Sequence, residues 1–420
     1  MKNRTLPKTD RRYVTRFLRK LSEIGRNPRG GWSRLAFSPE ERQAHDLFQR
    51  WAEGLGLSVR TDEVGNTFAE LPGTSPNPAL LAGSHLDTVP NGGNFDGAAG
   101  VAAALEVARL LSESGGLESS YRVVAFSGEE GARFGAPCIG SRIATGAFTA
   151  GTLRELTDSE GRTVAECASE VGLQPEKASD AVWEPGSVAA FLELHIEQGR
   201  VLESRSRSLG VVDAIAGSTR VELLFSGSAD HSGATPMRLR HDALAGASEF
   251  ILEAERRASA LRTTVATVGR LEVDPGSVTT VAGSSRLFLD VRDIDSERQR
   301  DLAEDLLDEA MRIAARRGLE LSASLLSDQS PTVLHKQVRE RLAHAAEEAG
   351  TNFSVLPSGA SHDASHVAKV APTGMVFVPS RGGISHSPQE WSDVDDITKA
   401  AEVLALALKA LDEQEHGQDG

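Results

Sequence analysis

The sequence predicts an α/β protein in which a mostly parallel central sheet carries helices on both faces. Four short apolar runs are typical of buried strands, and they lie at residues 79–82, 122–126, 190–194 and 374–378. Helical patterns separate some of these runs, for example over residues 98–112. This alternation of strand and helix is characteristic of α/β domains.

A block in the second half of the chain has a different order of elements. Its strand, helix, strand, strand, helix and strand patterns lie at residues 219–225, 239–260, 263–273, 279–290, 296–317 and 319–326. This is the β-α-β-β-α-β order of a ferredoxin-like α+β domain. We therefore predict a larger domain at residues 1–210 and 331–420, interrupted at residues 211–330 by a smaller domain suited to dimerisation through its edge strands or to closing as a lid.

The length and the two ends of the chain agree with this organisation. A chain of 420 residues exceeds what one hydrophobic core usually organises, which favours two domains. Near the start, Tyr13, Phe17 and Leu21 recur at helical spacing and predict an amphipathic first helix. The polar end, residues 413–420, predicts no ordered structure.

Charge and composition exclude several classes of protein. The net charge of −15 argues against a nucleic-acid or anionic-membrane partner, because no basic surplus is present to neutralise phosphates. No run of about 18 apolar residues predicts a membrane span, and the first 20 residues do not resemble a secretory signal. Only Cys138 and Cys167 are present, which excludes a thiolate zinc site and favours two reduced thiols in a cytoplasmic protein.

Imidazole and carboxylate side chains follow each of the four apolar runs. They are His85 and Asp87, Glu129 and Glu130, His195, and His386 in that order. Ligand sites in open α/β folds lie outside the carboxyl ends of the strands, so these segments are expected to meet at one crevice. Any one of these side chains alone is more often a structural or solvated residue than a ligand, and the shared position favours a site.

The residue types fit a pair of divalent cations such as zinc, manganese, cobalt or nickel. Asp96 can bridge two ions through its two oxygens. His85 with His195 can complete one site, and Glu130 with His386 can complete the other. Glu129 is then free to act as the general base, and Asp87 can orient the His85 imidazole as a hydrogen-bond acceptor.

The same segments resemble a known family. Residues 83–90, 96–97 and 129–134 are similar to motifs of the aminoacylase/carboxypeptidase metallohydrolases, and residues 193–199 narrow the likeness to the hydantoinase/carbamoylase amidases. Residues 230–237 and 385–386 also match, so the resemblance covers nearly the whole chain. It implies the metal ligands and the general base described above, with Asp87 as the companion of Glu129 near the metals.

The resemblance also implies roles that spacing alone does not give. Gln198 would contact substrate, and His231 of the inserted domain would stabilise the oxyanion across a homodimer. Arg292 would hold a substrate carboxylate, for which paired guanidinium donors are well suited. Gly359 and His362 belong to a segment that resembles a substrate-side loop.

Some positions depart from the family pattern or allow a different interpretation. Arg292 lies between Asp290 and Asp293, and without the resemblance it would be assigned to a surface ion pair. Thr279 stands where an asparagine is usual, Ala282 where a proline is usual, and Ser361 where a glycine is usual. None of the three positions Thr279, Ala282 and Ser361 belongs to the metal set, so hydrolysis is expected to be retained and substrate recognition to be altered.

The sequence thus predicts a two-metal amidohydrolase that cleaves the C–N bond of a small N-carbamoyl, ureido or related amide substrate carrying a carboxylate. Two alternatives stay open. One is an N-acyl amino acid or dipeptide hydrolase with the same mechanism. The other is a binding or regulatory protein that has lost its chemistry, which usually lacks a ligand or the base, whereas here the full set is present.

Overall fold

The computed structural model describes residues 6–28 and 30–417 of the chain. The chain divides into two compact units, a main unit of Met1–Asp213 with Leu334–Gly420 and an inserted unit of Ala214–Val333. The strands are β1 Ser58–Thr61, β2 Thr67–Leu71, β3 Ser75–His85, β4 Ser119–Phe126, β5 Val188–Ile196, β6 Leu209–Ile215, β7 Gly217–Ser226, β8 Val265–Asp274, β9 Ser284–Asp293, β10 Glu320–Gln329, β11 Thr332–Val333, β12 Phe353–Ser358 and β13 Thr373–Val378. The helices are α1 Arg11–Leu21, α2 Pro39–Glu53, α3 Ala98–Ser114, α4 Ile139–Ala144, α5 Ala150–Glu155, α6 Val164–Glu170, α7 Val201–Ser204, α8 Ala243–Ser259, α9 Ser296–Arg317, α10 Lys336–Glu348, α11 Ala364–Val367 and α12 Val394–Gly417.

The central sheet has the strand order β1-β2-β4-β3-β5-β13-β6-β11, with β12 paired to β6. The four inner strands β4, β3, β5 and β13 are parallel, and the outer pairs β1–β2, β2–β4 and β13–β6 are antiparallel. The inner strands contain the four apolar runs, so the predicted α/β class and its mostly parallel sheet are confirmed. Their carboxyl ends lie at the same edge of the sheet.

Helix packing fixes the position of that edge. Helix α3 is apolar on almost every side, as its burial against the sheet and α12 requires. A Cβ on Gly100 would lie 2.1 Å from the carbonyl oxygen of Leu194 in β5, so only glycine allows α3 to come this close to the sheet. Helix α1 buries Tyr13, Phe17 and Leu21, and the predicted amphipathic first helix is confirmed.

The inserted unit contains an antiparallel sheet of order β10-β7-β9-β8. Its chain order, β7-α8-β8-β9-α9-β10, is the predicted ferredoxin-like order. Strands β7 and β9 alternate between buried and partly exposed residues, since only one face of the sheet packs against the helices. Phe225, Phe250 and Leu306 form part of the small core between the sheet and the helices.

Two sequence expectations are wrong in detail. Strand β9 begins at Ser284 and not at Thr279, because residues 279–283 hydrogen-bond to a neighbouring loop: Ser232 N–H donates to the Thr279 carbonyl and Val281 N–H to that of Asp230. The polar end is helical as far as Gly417, and residues 418–420 lie outside the described part. Asp412 accepts two backbone amides there, which supplies the tertiary contact that composition does not predict.

Within residues 6–28 and 30–417, no helix has the length and apolar character needed to cross a bilayer.

Candidate metal centre and active site

Asp96 lies at the centre of a mostly buried cluster of imidazoles and carboxylates. Its Oδ1 is 3.5 Å from His85 Nε2 and 3.0 Å from His195 Nε2. Its Oδ2 is 3.3 Å from His386 Nε2, which is in turn 3.4 Å from Glu130 Oε1. The two oxygens of one carboxylate therefore face two separate groups of donors. In each group the potential ligand atoms lie within 4.8 Å of one another.

The backbone between β3 and α3 places Asp96 against His85. His85 is the last residue of β3, and Gly97 precedes α3 with a φ of +62°. A Cβ on Gly97 would lie 2.5 Å from the His85 ring, so a larger residue would displace the imidazole. Both the fold of this connection and the closeness of the ring thus require a glycine at this position.

Asp87 supports two of the neighbouring segments at once. Its Oδ1 is 3.3 Å from His85 Nδ1, and its backbone carbonyl oxygen is 3.2 Å from the same nitrogen. Its oxygens also accept the backbone N–H groups of Glu129 and Glu130, at 3.1 and 2.9 Å. A single buried carboxylate therefore contacts the imidazole at the end of β3 and fixes both adjacent glutamates after β4.

The charges in this cluster favour bound cations. Burial raises the pKa of Glu130 to about 8, and it raises that of Glu129 well above its usual range. The carboxylate of Asp96 raises the pKa of His386 to about 9. His85 Nε2 and Glu130 Oε1 are buried without a hydrogen-bond partner among the described residues. Acidic groups this close and this buried need positive charge nearby, so the donor set fits two divalent ions.

Gln198 and His386 reach the cluster through strained backbone. Both are non-glycine residues with positive φ, at +58° and +54°. Gln198 Nε2 donates to Asp96 Oδ2 at 2.6 Å and lies 3.3 Å from His386 Nε2. Left-handed conformations of such residues cost free energy and concentrate at functional sites. The structure therefore brings Gln198 into the same cluster as the potential ligands.

His362 lies behind the cluster and is only 1% exposed. Its Nε2 is 2.8 Å from Ser358 Oγ, and its ring centroid is 4.5 Å from that of His195. Glu193, which is also close to these imidazoles, already accepts hydrogen bonds from Ser84 Oγ and the Ala364 amide. His362 thus packs against His195, and its expected contact with substrate stays a prediction. Gly359 is exposed on the loop that precedes it.

The remaining predicted residues belong to the inserted unit. His231 and Thr280 form an isolated β-bridge, so the loop of His231 lies beside Thr279. His231 Nδ1 accepts the N–H groups of Gly233 and Ala234. Arg292 donates to Asp290 Oδ2 from Nη2 at 2.9 Å and from Nε at 3.1 Å.

Some supporting residues were missed by the sequence analysis. Cys138 Sγ donates to Glu129 Oε1 at 3.2 Å, and Glu41 Oε1 accepts the Gly128 amide at 2.8 Å. Glu390 accepts the amides of Phe95 and Asp96. Only Glu390 lies close in sequence to a candidate ligand, four residues after His386, and no spacing rule marks the other two.

Comparison with known proteins identifies the family. The profile of "Peptidase family M20/M25/M40" matches residues 81–410. This chain belongs to that family. It is 41% identical over 389 residues to an "N-carbamoyl-L-amino acid amidohydrolase" of Geobacillus stearothermophilus, covering 92% of this chain and 95% of the relative. It is 35% identical over 394 residues to an "Allantoate amidohydrolase" of Escherichia coli K12, with coverage of 93% and 95%.

A solved structure narrows the assignment within family M20/M25/M40. An amidase of the hydantoinase/carbamoylase family from Burkholderia multivorans superposes with a TM-score of 0.89 at 35% identity, over 96% of this chain and 98% of that one. The resemblance noted in the sequence is therefore confirmed, and this M20 protein is a hydantoinase/carbamoylase-type amidase. It is a metal-dependent hydrolase of carbon–nitrogen bonds other than peptide bonds.

Proposed function

We propose that this enzyme hydrolyses the C–N bond of a small N-carbamoyl or ureido substrate that carries a carboxylate. The observation that carries the proposal is the bridging position of Asp96, whose two oxygens face His85 with His195 on one side and His386 on the other. The names of the relatives, which act on N-carbamoyl amino acids and allantoate, support the substrate class.

In the mechanism we propose, His85, Asp96 and His195 would hold one divalent ion, and Asp96, Glu130 and His386 would hold the second. When bound, the two cations supply Lewis acidity that polarises the scissile carbonyl and lowers the pKa of the attacking water. Glu129 takes the proton from this water and returns it to the leaving nitrogen. Its Oε2 lies 3.7 Å from His85 Nε2, beside the proposed ligands.

The neighbours of Glu129 keep it in position for both proton transfers. Asp87 fixes its backbone amide, and the thiol of Cys138 donates to Oε1, the oxygen that does not face His85. One oxygen is therefore anchored, and the other faces His85, beside the proposed ions. A base with a fixed orientation needs no reorganisation between the two transfers.

We further propose that the inserted unit supplies two groups to the substrate. The Nδ1 atom of His231 accepts two backbone N–H groups, so a neutral ring carries its proton on Nε2 and can donate it to an oxyanion. Gln198 of the main unit would bind the substrate amide, and Gly359 would line its pocket. Arg292 would bind the substrate carboxylate in place of Asp290.

A homodimer through the inserted unit is part of this proposal. Strands β8 and β10 are the two edges of its sheet and carry exposed apolar side chains, with Val265 at 53%, Leu325 at 66% and Leu326 at 52% exposure. Exposed apolar edge strands favour pairing with another chain. Cys138 and Cys167 are both free thiols, which supports a cytoplasmic enzyme.

A substrate panel tests the proposed activity. N-carbamoyl amino acids, ureido acids such as allantoate, and N-acyl amino acids would be supplied in turn, with zinc, manganese, cobalt or nickel added separately. We expect ammonia release from carbamoyl or ureido compounds and slower turnover of acyl compounds. Turnover of N-acyl amino acids or dipeptides alone would replace the proposal with the acylase alternative. Thr279, Ala282 and Ser361 depart from the family pattern, so the panel extends beyond plain N-carbamoyl amino acids.

Replacing Arg292 with Ala is expected to raise the KM for a carboxylate substrate by about 10- to 100-fold, because charged hydrogen bonds of this kind contribute about 1.5–3 kcal/mol. The effect should be small for the neutral amide of the same substrate. The matched control is Arg220→Ala, since Arg220 lies 3.5 Å from the same Asp290 oxygen on the adjacent strand. Equal effects of the two variants would assign Arg292 to a structural ion pair only.

Complementation tests the action of His231 across the dimer. Co-expressed chains carrying His231→Ala and Glu129→Gln should regain about a quarter of wild-type activity, because half of the random dimers have one intact site out of two. A control pair, Glu129→Gln with Asp96→Ala, should regain none, since both residues belong to the main unit. If the first pair also stays inactive, His231 acts within its own chain.

A further inference from the structure

We propose that Glu390 is a positioning residue. Its hydrogen bonds connect the loop of Asp96 to the loop of His386 and so fix the geometry of the proposed two-ion centre. This inference rests on the proposed function, because it assigns a supporting role at the same centre. Glu390 is not itself a member of either group of potential ligands. It acts on the two loops through hydrogen bonds to backbone and hydroxyl groups.

The contacts of Glu390 connect segments almost 300 residues apart. Its Oε1 accepts the backbone N–H groups of Phe95 and Asp96, at 2.9 and 3.0 Å. Its Oε2 accepts the hydroxyl of Ser385 at 2.9 Å. Both carboxylate oxygens are therefore used, and the side chain is only 4% exposed. A buried carboxylate with three donors has little freedom to move.

Ser385 extends this connection to the bridging carboxylate. Its Oγ lies 3.0 Å from Asp96 Oδ2, the oxygen that faces His386. Next to Glu390, the ring of Trp391 packs edge-to-face on Phe95, with centroids 5.1 Å apart. The segment that follows β13 thus contacts the residues before α3 through backbone amides, a hydroxyl and a ring.

Gly93 gives independent evidence that Glu390 is tightly enclosed. A Cβ at this position would lie 2.0 Å from Glu390 Oε1 and 2.1 Å from its carboxyl carbon. The loop before Asp96 therefore leaves space for this carboxylate and for nothing more. A methyl group on Gly93 would displace Glu390 from the amides that it accepts.

The hydrogen bonds of Glu390 affect how Asp96 presents its two oxygens. A carboxylate can serve two ions only if its plane is held between them, and Asp96 follows a loop with no regular secondary structure. His386 is even less constrained, since its side chain is 48% exposed. Fixing the Asp96 amide and Ser385 with one side chain sets the distance between these two groups. Outer partners of this kind typically change metal affinity by about 10- to 100-fold.

Asp412 provides a closely matched control. It is a buried carboxylate, 6% exposed, that also accepts two adjacent backbone amides from a distant segment, those of Glu118 and Ser119. These amides lie at the start of β4, whereas the proposed centre lies beyond the other end of this strand. Loss of Asp412 removes the same kind of bonds without touching the loops of Asp96 or His386.

The experiment compares Glu390→Ala, Glu390→Gln and Asp412→Ala with the wild-type chain. Bound zinc and manganese are counted in the purified proteins, their dissociation constants are measured by competition with a chelator, and unfolding is followed in the metal-free state. We expect Glu390→Ala to lower the affinity for at least one ion by about 10- to 100-fold. Asp412→Ala should change affinity by less than about 2-fold, although both lower the stability of the metal-free chain. Glu390→Gln keeps an oxygen for the amides and should lose less affinity.

A second variant disturbs the Glu390 contact from the loop before Asp96. Gly93→Ala should weaken metal binding as Glu390→Ala does. The double variant should bind metal no more weakly than either single variant, because all three remove the same hydrogen-bonded connection between the two loops. Excess metal should partly restore kcat in each of them. Additive losses of affinity would show that the two residues act separately, which overturns the proposal.

The proposed two-ion centre and the positioning role of Glu390 are overturned by different results. If the wild-type chain binds two ions and Glu390→Ala binds them equally well, the positioning role is wrong and the proposed centre stands. If Glu390→Ala and Asp412→Ala weaken the ions equally, Glu390 acts only through general stability and the role is again wrong. If the wild-type chain binds no divalent ion, both the proposed function and this inference are overturned.

Discussion

Replacing Glu129 with Gln is expected to lower kcat by about 10²- to 10⁴-fold, while both metal ions stay bound. The amide has nearly the shape of the carboxylate, so the hydrogen bond of the Glu129 backbone to Asp87 is kept. Gln cannot take a proton from water, and the step that needs a base is therefore lost. Steady-state kinetics and metal analysis of the same preparation check the two parts of this prediction.

The control for this variant is Glu129→Asp. It keeps a carboxylate but shortens the side chain, so activity should fall between that of the wild type and that of Glu129→Gln. Retained turnover in Glu129→Gln would mean that another group is the base. Loss of metal in the same variant would instead place Glu129 among the ligands, since its Oε2 lies 3.7 Å from His85 Nε2.

Replacing Asp96 with Ala is expected to lower the affinity for both ions by at least about 100-fold and to abolish turnover. The reason is that Asp96 Oδ1 faces His85 and His195, whereas Oδ2 faces His386. Removing any one of these three imidazoles should mainly affect the binding of one ion. Titration with zinc or manganese, followed calorimetrically, separates a loss of one site from a loss of two.

Asp62→Asn is the matched control for Asp96→Ala. Asp62 is also a buried carboxylate of the main unit, but among the described residues its side chain accepts hydrogen bonds from the amides of Val64 and Asn66 and from the Asn66 side chain. Its variant should lose stability and keep both ions. Should Asp96→Ala retain one ion at wild-type affinity, Asp96 would be a ligand of a single site and the bridging arrangement would be incorrect.

The predictable part of the fold follows from short-range patterns. A buried parallel strand needs a short apolar run, and the polar residue after it lies at the sheet edge, so His85 and His195 can be placed from the sequence. Pairing of His85 with His195, and of Glu130 with His386, around Asp96 then follows from the ligand preferences of divalent ions. The structure brings these side chains together as that reasoning requires.

The supporting residues were not predictable, because their partners are distant in the chain. Glu41 meets an amide 87 residues away, and Glu390 meets amides 294 and 295 residues away. Hydrogen bonds of this kind leave no periodic pattern, since a glutamate that accepts buried amides resembles a surface glutamate in sequence. The start of β9 was misplaced for the same reason, as residues 279–283 bind the loop of His231.

The place of β13 has a consequence for how the chain acquires its structure. This strand lies between β5 and β6, although it follows both of them by more than 150 residues. During synthesis the central sheet is therefore incomplete until residue 378 has left the ribosome, whereas every strand of the inserted sheet is available by residue 329. Contacts between distant segments form slowly. The inserted unit can thus fold while β5 and β6 still present open edges, and open strand edges can pair with other chains.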